Sequence, residues 1–213
     1  FNSTQIEDDK IGLSIGTAGG VFSRPLSNKS WKRINFGIGI NQLASYNRNI
    51  IIEGENNTSS LADKMLELAQ GNTIEELNYF HTDLAFWTDL IDLADNTIDT
   101  SVTPNWYLND NGNYISNIKS NGNKLQYKNI RTEGSEHDFI LSFGSSYEEK
   151  LYLGVTIGFP SINYYEVSNY TEDVLEDTIN GLKGFSYQEE LSTSGSGINI
   201  KTGMLVRISE RLK

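Results

Sequence analysis

The segment 33–41 constrains the fold more than any other part of the sequence. It reads Arg-Ile-Asn-Phe-Gly-Ile-Gly-Ile-Asn, so every even position is Ile or Phe and the odd positions from 35 to 41 are Asn or Gly. Successive side chains of a β-strand point to opposite faces of its sheet. This segment is therefore predicted to form a strand with one bulky apolar face and one small, polar face.

The same alternation between large apolar and small polar residues recurs elsewhere in the chain. Soluble sheets usually carry Lys, Glu and Thr on the outer face, whereas these segments carry Gly, Asn, Ser and Thr there. That combination is typical of a membrane β-barrel, in which the apolar face touches lipid and the small polar face looks into the lumen. The predicted strands are Lys10 to Arg24 with a bulge or bend at Gly19-Gly20, Arg33 to Glu53, Leu125 to Gly144, Leu151 to Glu166, and Ser186 to Ile208.

The connections between these strands fall into a short and a long class. The turns at 25–32 and 145–150 are short, whereas the segments 54–124 and 171–184 are long. In an up-and-down antiparallel sheet, alternation of short and long connections places all the short turns on one side. Outer-membrane barrels have this asymmetry, with short periplasmic turns and long extracellular loops.

Residues 58–97 are predicted to be a helical extracellular insertion. A helix is expected from Ser60 to Gln70, and a capping box at Thr73 and Glu76 begins a longer one that continues to Ala94. Apolar residues recur along this longer helix at spacings of three and four, which gives it two adjacent apolar stripes. The stripes either pack on a neighbouring helix or contact a hydrophobic ligand, and the candidate ligand-binding residues are Leu77, Phe80, Leu84, Phe86, Trp87, Leu90 and Ile91.

Composition excludes several classes of function. The chain has 28 acidic and 17 basic residues, a net charge of −11, and no basic stripe beside aromatic residues, so nucleic acid is not an expected partner. No apolar run approaches the roughly 20 residues of a membrane-spanning helix. The chain contains no Cys, which excludes disulfides, thiolate chemistry and Cys-type zinc sites.

Catalytic and metal-binding motifs are not found. His81 and His137 are the only histidines, and neither a Gly-x-Ser-x-Gly elbow nor a His-Glu-x-x-His motif occurs. The segment 109–113 resembles a calcium loop but has no closing Glu, so we interpret it as a turn. We expect a protein that is not an enzyme and holds no metal or cofactor, with heme ligation by either His left open.

Three segments carry a resemblance to a known family. They are 35–39 running into 46–49, then 158–164, and finally 195–203. On these segments the chain resembles the FadL-type outer-membrane transporters, in particular the Bacteroidetes branch often labelled hemin receptor or aromatic-hydrocarbon transport protein. The resemblance implies a plugged barrel that passes hydrophobic molecules across the outer membrane, with the long insertion as an extracellular cap that gathers the ligand.

From this resemblance we expect transport of small hydrophobic molecules, either fatty-acid-like or aromatic, in the outer membrane of a bacterial cell. The expected partners are membrane lipid and the hydrophobic cargo. The hatch is absent, and about five strands cannot close a barrel, for which about eight is the small end. Residues 1–213 are therefore expected to be one all-β, antiparallel barrel fragment of a longer protein. The alternative is a surface-exposed or soluble β-rich binding module without transport activity.

Overall fold

A computed structural model of the chain describes residues 16–27, 30–94, 112–176 and 181–208. The predicted residues 10–15 of the first strand, most of the turn at 109–113 and the last residues of the chain lie outside this part. The elements within it, in chain order, are β1 Thr17–Pro25, β2 Trp31–Ser45, β3 Arg48–Asn56, α1 Leu61–Ala69, a 3₁₀ helix Ile74–Glu76, α2 Thr82–Trp87, β4 Ile91–Leu93, β5 Tyr114–Ser116, β6 Lys124–Tyr147, β7 Leu151–Val174, β8 Gly184–Ser196 and β9 Asn199–Val206.

The chain divides into two compact units. The helical unit comprises Phe1–Glu7, Ile50–Asn129 and Ser168–Gln188, and the sheet unit comprises Asp8–Asn49, Ile130–Val167 and Glu189–Lys213. The boundaries between the units fall inside β3, β6, β7 and β8. The predicted insertion, 58–97, falls within the helical unit as far as its residues are described. In the described residues no helix is both long and apolar enough to cross a membrane.

The sheet follows the predicted antiparallel order. Its strands lie in the sequence β1-β2-β6-β7-β8, with β3 also paired to β6 and β9 also paired to β7. The pairings β1 with β2, β2 with β6 and β7 with β9 are all antiparallel. If β2 with β3, and β8 with β9, are each counted as one interrupted strand, strands that pair in the sheet also follow one another in the chain, apart from the segment from α1 to β5. The predicted all-β, antiparallel class is confirmed at this level.

The predicted bulge at Gly19-Gly20 is wrong. The register between β1 and β2 is unbroken, with Gly19 opposite Gly39 and Gly20 opposite Ile38. A side chain at Gly19 would lie 2.7 Å from the Ile38 carbonyl oxygen. Gly19 therefore allows a close approach between the two backbones, whereas a side-chain carbon at Gly20 would meet no atom within 4 Å.

Two predicted strands are each divided into two. The second ends at Ser45 and resumes at Arg48, beside Gly134 of β6, which has a left-handed φ of 121° and accepts from the Tyr46 amide at 3.0 Å. The fifth is divided at residues 197–198, where the Gly197 amide donates to the Pro160 carbonyl at 2.9 Å. Pro160 has no N–H, so the ladder loses a bond at this point.

The prediction of one long helix from Thr73 to Ala94 is wrong. The capping box of Thr73 and Glu76 is present, but it opens only a 3₁₀ helix. Asn78 then accepts from the Phe80 amide at 2.9 Å, and this local turn competes with helix continuation. Asp89, with a φ of 57°, follows the short α2, and the chain then forms β4.

The shorter predicted helix is confirmed as α1. Ser60 is its N-cap and forms a capping box with Asp63, and Gly71 follows the helix with a φ of 82°. The long connection 171–184 begins later than predicted, because β7 continues to Val174, and residues 177–180 of it lie outside the described part.

The helical unit has a hydrophobic core to which α1, α2, β4 and β5 all contribute. Its buried apolar members are Ala62, Met65, Ala69, Leu77, Ala85, Phe86, Leu90, Ile91, Leu93, Tyr114 and Ile118. Two fully buried charged side chains, Lys124 and Glu172, belong to the same unit. Each of them is surrounded by hydrogen-bond partners.

The buried ammonium of Lys124 holds a loop together. Its Nζ donates to the carbonyl oxygens of Lys119, Ser120 and Gly122 at 2.9, 2.8 and 2.7 Å. The carboxylate of Glu172 accepts from the Ser60 hydroxyl at 2.5 Å and from the Tyr170 hydroxyl at 2.5 Å. Burial, and then the bond to Glu172, raise the pKa of Tyr170. These bonds satisfy charges that would otherwise destabilise the unit.

Replacing the buried ammonium tests this account. Lys124→Met keeps the length of the side chain but leaves three carbonyl oxygens without their donor, so we expect the free energy of unfolding to fall by about 3 kcal/mol. Lys64→Met is the matched control, because Lys64 is exposed and pairs only with Glu67 on the surface of α1; we expect a change below about 0.5 kcal/mol. Denaturant unfolding followed by tryptophan fluorescence measures both. If both variants lost the same free energy of unfolding, the role given to Lys124 would be contradicted.

Candidate functional site

The helical unit contains a cavity of about 430 Å³ beside α2. One wall comes from α1 and α2, and the other from the residues that lead into and begin β8. The lining residues are Met65, Leu84, Ala85, Thr88, Leu90, Leu182, Gly184, Phe185, Ser186, Tyr187 and Gln188. Most of this surface is apolar, and the polar groups on it are few.

Local hydrogen bonds fix the wall that α2 contributes. The Leu90 amide donates to the Ala85 carbonyl at 2.9 Å, and the Thr88 hydroxyl donates to the Leu84 carbonyl at 2.7 Å. These bonds hold the chain as it leaves the helix, so Leu84 and Leu90 both reach the cavity although the helix between them has ended. Ala85 and Phe86 are buried behind them in the core.

A bond between an aromatic hydroxyl and a histidine fixes the opposite wall. The Tyr187 hydroxyl donates its one proton to the Phe80 carbonyl at 2.8 Å. It must therefore accept at its 2.8 Å contact with His81 Nδ1, which assigns the ring proton to that nitrogen. Tyr187 thus ties the start of β8 to the residues that precede α2, and its ring has a defined position in the cavity wall.

The structure divides the seven predicted ligand-binding residues into two groups. Phe80, Leu84 and Trp87 are exposed, at 77%, 49% and 69%. The other four belong to the buried core, and Ile91 lies in β4 and not in a helix. Two of the seven line the cavity: the exposed Leu84 and the buried Leu90. The core members are Leu77, Phe86, Leu90 and Ile91.

Sequence reasoning missed most of the cavity. Met65 lies in the predicted helix from Ser60 to Gln70 but was not among the candidate ligand-binding residues, and Phe185 and Tyr187 lie at the start of the fifth predicted strand. The residues at 182–188 and those of α2 are about 100 positions apart in the chain. Periodicity describes the faces of one element and contains no information about which distant element will cover them.

The lining determines what the cavity can bind. Within the described residues its wall has no charged side chain; its polar side chains are those of Thr88, Ser186, Tyr187 and Gln188. An apolar surface with a few hydroxyl and amide groups fits an uncharged or weakly polar small molecule. Across the described part of the chain there is also no group of three or more His, Cys, Asp or Glu that could hold a metal ion.

Comparison with known proteins adds no relative. Neither the family models, the curated proteins nor the solved structures contain a match to this chain. The resemblance to FadL-type transporters therefore remains a prediction from the sequence, and the physical features of the two units carry the functional argument.

Filling the cavity tests whether it binds hydrophobic molecules. Leu84→Trp places a large ring in the cavity from a residue that is half exposed, so we expect the affinity for the neutral probe N-phenyl-1-naphthylamine to fall about tenfold. Leu68→Trp makes the same exchange at an exposed site on α1 that is not in the lining, and should leave the affinity unchanged. Fluorescence titration measures both. The cavity is not the binding site if both variants bind the probe like the parent chain.

Proposed function

We propose that this chain is part of a FadL-type outer-membrane barrel that transports small hydrophobic molecules, fatty-acid-like or aromatic, across the outer membrane of a bacterial cell. The sheet unit would supply a section of the barrel wall, and the helical unit would gather the ligand outside the membrane. One observation carries the proposal: the sheet unit has a continuous apolar face that is exposed.

Cross-strand pairing makes this face continuous. Phe36 lies opposite Phe143, Ile38 opposite Leu141 and Ile40 opposite Phe139. On the same face, between β7 and β9, Leu153 lies opposite Met204 and Ile157 lies opposite Ile200.

The large side chains of this face are open to their surroundings. Phe36, Ile38 and Ile40 are 44%, 41% and 45% exposed. A soluble protein normally covers an apolar surface of this extent with a second layer or a partner. Hydrocarbon is the environment that stabilises it without either.

The opposite face has the small, polar character of a lumen. Gly37 lies opposite Ser142, Asn35 opposite Gly144, and Gly154 opposite Gly203. The hydroxyls of Ser142 and Thr156 lie 3.0 Å apart on this face. Strands that alternate apolar outside and polar inside are the rule in transmembrane barrels.

Aromatic pairs lie at both ends of β2. Trp31 packs edge-on against Tyr147 at a ring separation of 5.3 Å, and Tyr46 packs edge-on against Tyr164 at 5.2 Å. Fifteen residues of strand span about 50 Å, or about 35 Å across a membrane at a tilt of about 45°. The pairs are therefore about 35 Å apart along the membrane normal, and transmembrane barrels have an apolar band about 25 Å tall that aromatic residues flank.

A second candidate function is a surface-exposed or soluble β-rich binding module. The observation that favours it is the core of the helical unit, which encloses apolar residues together with a cavity and needs no membrane to do so. The two functions differ in what covers the apolar face of the sheet unit. Lipid covers it in the transporter, and another protein surface covers it in the module.

A charge on the apolar face distinguishes these functions. Ile38→Lys should lower stability in liposomes by about 3 kcal/mol, because Arg or Lys on the lipid face near the midplane costs about that much. Ser142→Lys, on the polar face, should lower the stability in liposomes by much less. Urea unfolding from liposomes measures the difference. A chain that stays monomeric without detergent and does not associate with liposomes is not a barrel section.

Uptake tests transport itself. Phe80 and Trp87 are the most exposed of the predicted ligand-binding residues, so changing both to Ser should lower the initial rate of uptake of a fluorescent fatty acid by at least about threefold, because apolar contacts with the arriving ligand are lost. Leu68→Ser is the control for an exposed apolar residue elsewhere in the helical unit. The assay uses whole cells that express the intact protein. Normal uptake with normal surface expression removes these residues from the pathway.

A further inference from the structure

Three residues on the polar face of the sheet unit converge on one point. They are Asp138 of β6, Gly158 of β7 and Asn199 of β9, and Gly158 lies directly opposite Asn199. A side-chain carbon at Gly158 would lie 2.7 Å from Asp138 Oδ1 and 2.7 Å from Asn199 Oδ1. The two side chains therefore reach over the glycine from either side, and only a residue without a side chain leaves them room.

The two oxygen atoms that meet there have no hydrogen-bond donor. Asp138 is 3% exposed, and within the described residues neither its Oδ1 nor the Oδ1 of Asn199 has a hydrogen-bond partner. The contact between the two side chains is a long one, with Asn199 Nδ2 donating to Asp138 Oδ2 at 3.4 Å. Asn199 Nδ2 lies at the same 2.7 Å from the position of a side-chain carbon at Gly158 as Asn199 Oδ1 does, so the buried carboxylate lies beside both ends of the amide.

The charge of Asp138 is not balanced by a basic side chain. In the described part of the chain it forms no ion pair; the ion pairs there join Lys64 to Glu67 and Arg131 to Glu133. A buried charge without an oppositely charged partner costs several kcal/mol. Lys124 and Glu172 in the helical unit differ, because hydrogen bonds satisfy both.

We propose that Asp138 and Asn199 bind a hard cation of the size of Na⁺ or Ca²⁺ above Gly158. Asp138 Oδ1 and Asn199 Oδ1 are its protein ligands, and water completes the coordination. Carboxylate and amide oxygens are the donors that such cations take, and these two ions accept irregular arrangements of ligands. Mg²⁺ demands octahedral geometry, and Zn²⁺ and Cu²⁺ prefer nitrogen and sulfur donors, which this site lacks.

The site is independent of the proposed transport function. It rests on the pairing of β7 with β9 and on the burial of Asp138, whichever environment covers the apolar face of the sheet. A bound cation would tie β6 to β9 across the strand between them, because its two protein ligands come from those two strands. The expected consequence is a sheet whose stability rises with the concentration of one cation.

Calorimetric titration of the purified, chelator-treated chain tests the site. CaCl₂ is titrated in one arm, and NaCl in a choline chloride background of constant ionic strength in the other. We expect saturable binding of one of the two ions. Asp138→Asn keeps the shape of the side chain and removes its charge, so it should weaken that binding at least about tenfold. Glu149→Gln removes an exposed carboxylate from the β6–β7 turn and should change nothing.

A second variant keeps the test informative if Asp138→Asn affects folding. Asn199→Asp adds a second carboxylate to the site, so it should lower the melting temperature in chelator and raise the affinity for Ca²⁺ about tenfold. The melting temperature of the unchanged chain should rise with the bound ion, and that of Asp138→Asn should not. The proposal is overturned if neither ion shows saturable binding, or if Asp138→Asn binds as tightly as the unchanged chain.

Discussion

Cross-strand register is the constraint on which the rest of the sheet unit depends. Pairing Phe36 with Phe143 and Gly37 with Ser142 places most large apolar side chains of these strands on one face and most small ones on the other; Ile140, opposite Gly39, is an exception. A slip of one residue would mix the two faces along the whole strand, so the alternating pattern selects this register strongly. The exposed apolar face, and with it the case for contact with lipid, follows directly from that selection.

The small residues of the opposite face have a use of their own. Gly19 and Gly39 allow two strands to approach closely, and Gly134 of β6 adopts a left-handed φ beside the break between β2 and β3. Gly158 lets two polar side chains meet above the sheet. The polar face thus contains the buried Asp138 carboxylate, whose Oδ1 has no hydrogen-bond partner among the described residues. We propose the cation site for this reason.

The helical unit treats buried charge differently. Three carbonyl oxygens accept from Lys124, and hydroxyl, amide and backbone donors bind Glu172, so both charges are satisfied inside the unit. These bonds fix the loop before β6 and the start of α1. The apolar core lies in the same unit, and its members Met65, Ala85 and Leu90 also line the cavity beside α2. In the helical unit the hydrogen-bonded charges of Lys124 and Glu172 stabilise the fold around the cavity. In the sheet unit the Asp138 carboxylate, which lacks such partners on Oδ1, is part of the proposed cation site.

The sequence by itself determined the five main strands, their antiparallel order and the face of most of their large side chains, because a period of two is a local property that pairing preserves. It also determined α1, whose cap at Ser60 is local. It did not determine the path after Thr73, where the side chain of Asn78 and the backbone of Asp89 interrupt an apolar pattern that fits a helix. Only the tertiary structure decided which apolar residues became core and which remained exposed, and it alone brought Tyr187 beside His81 and Asp138 beside Asn199. Those contacts join residues that are distant in the chain, and no local pattern encodes which distant element will cover a face.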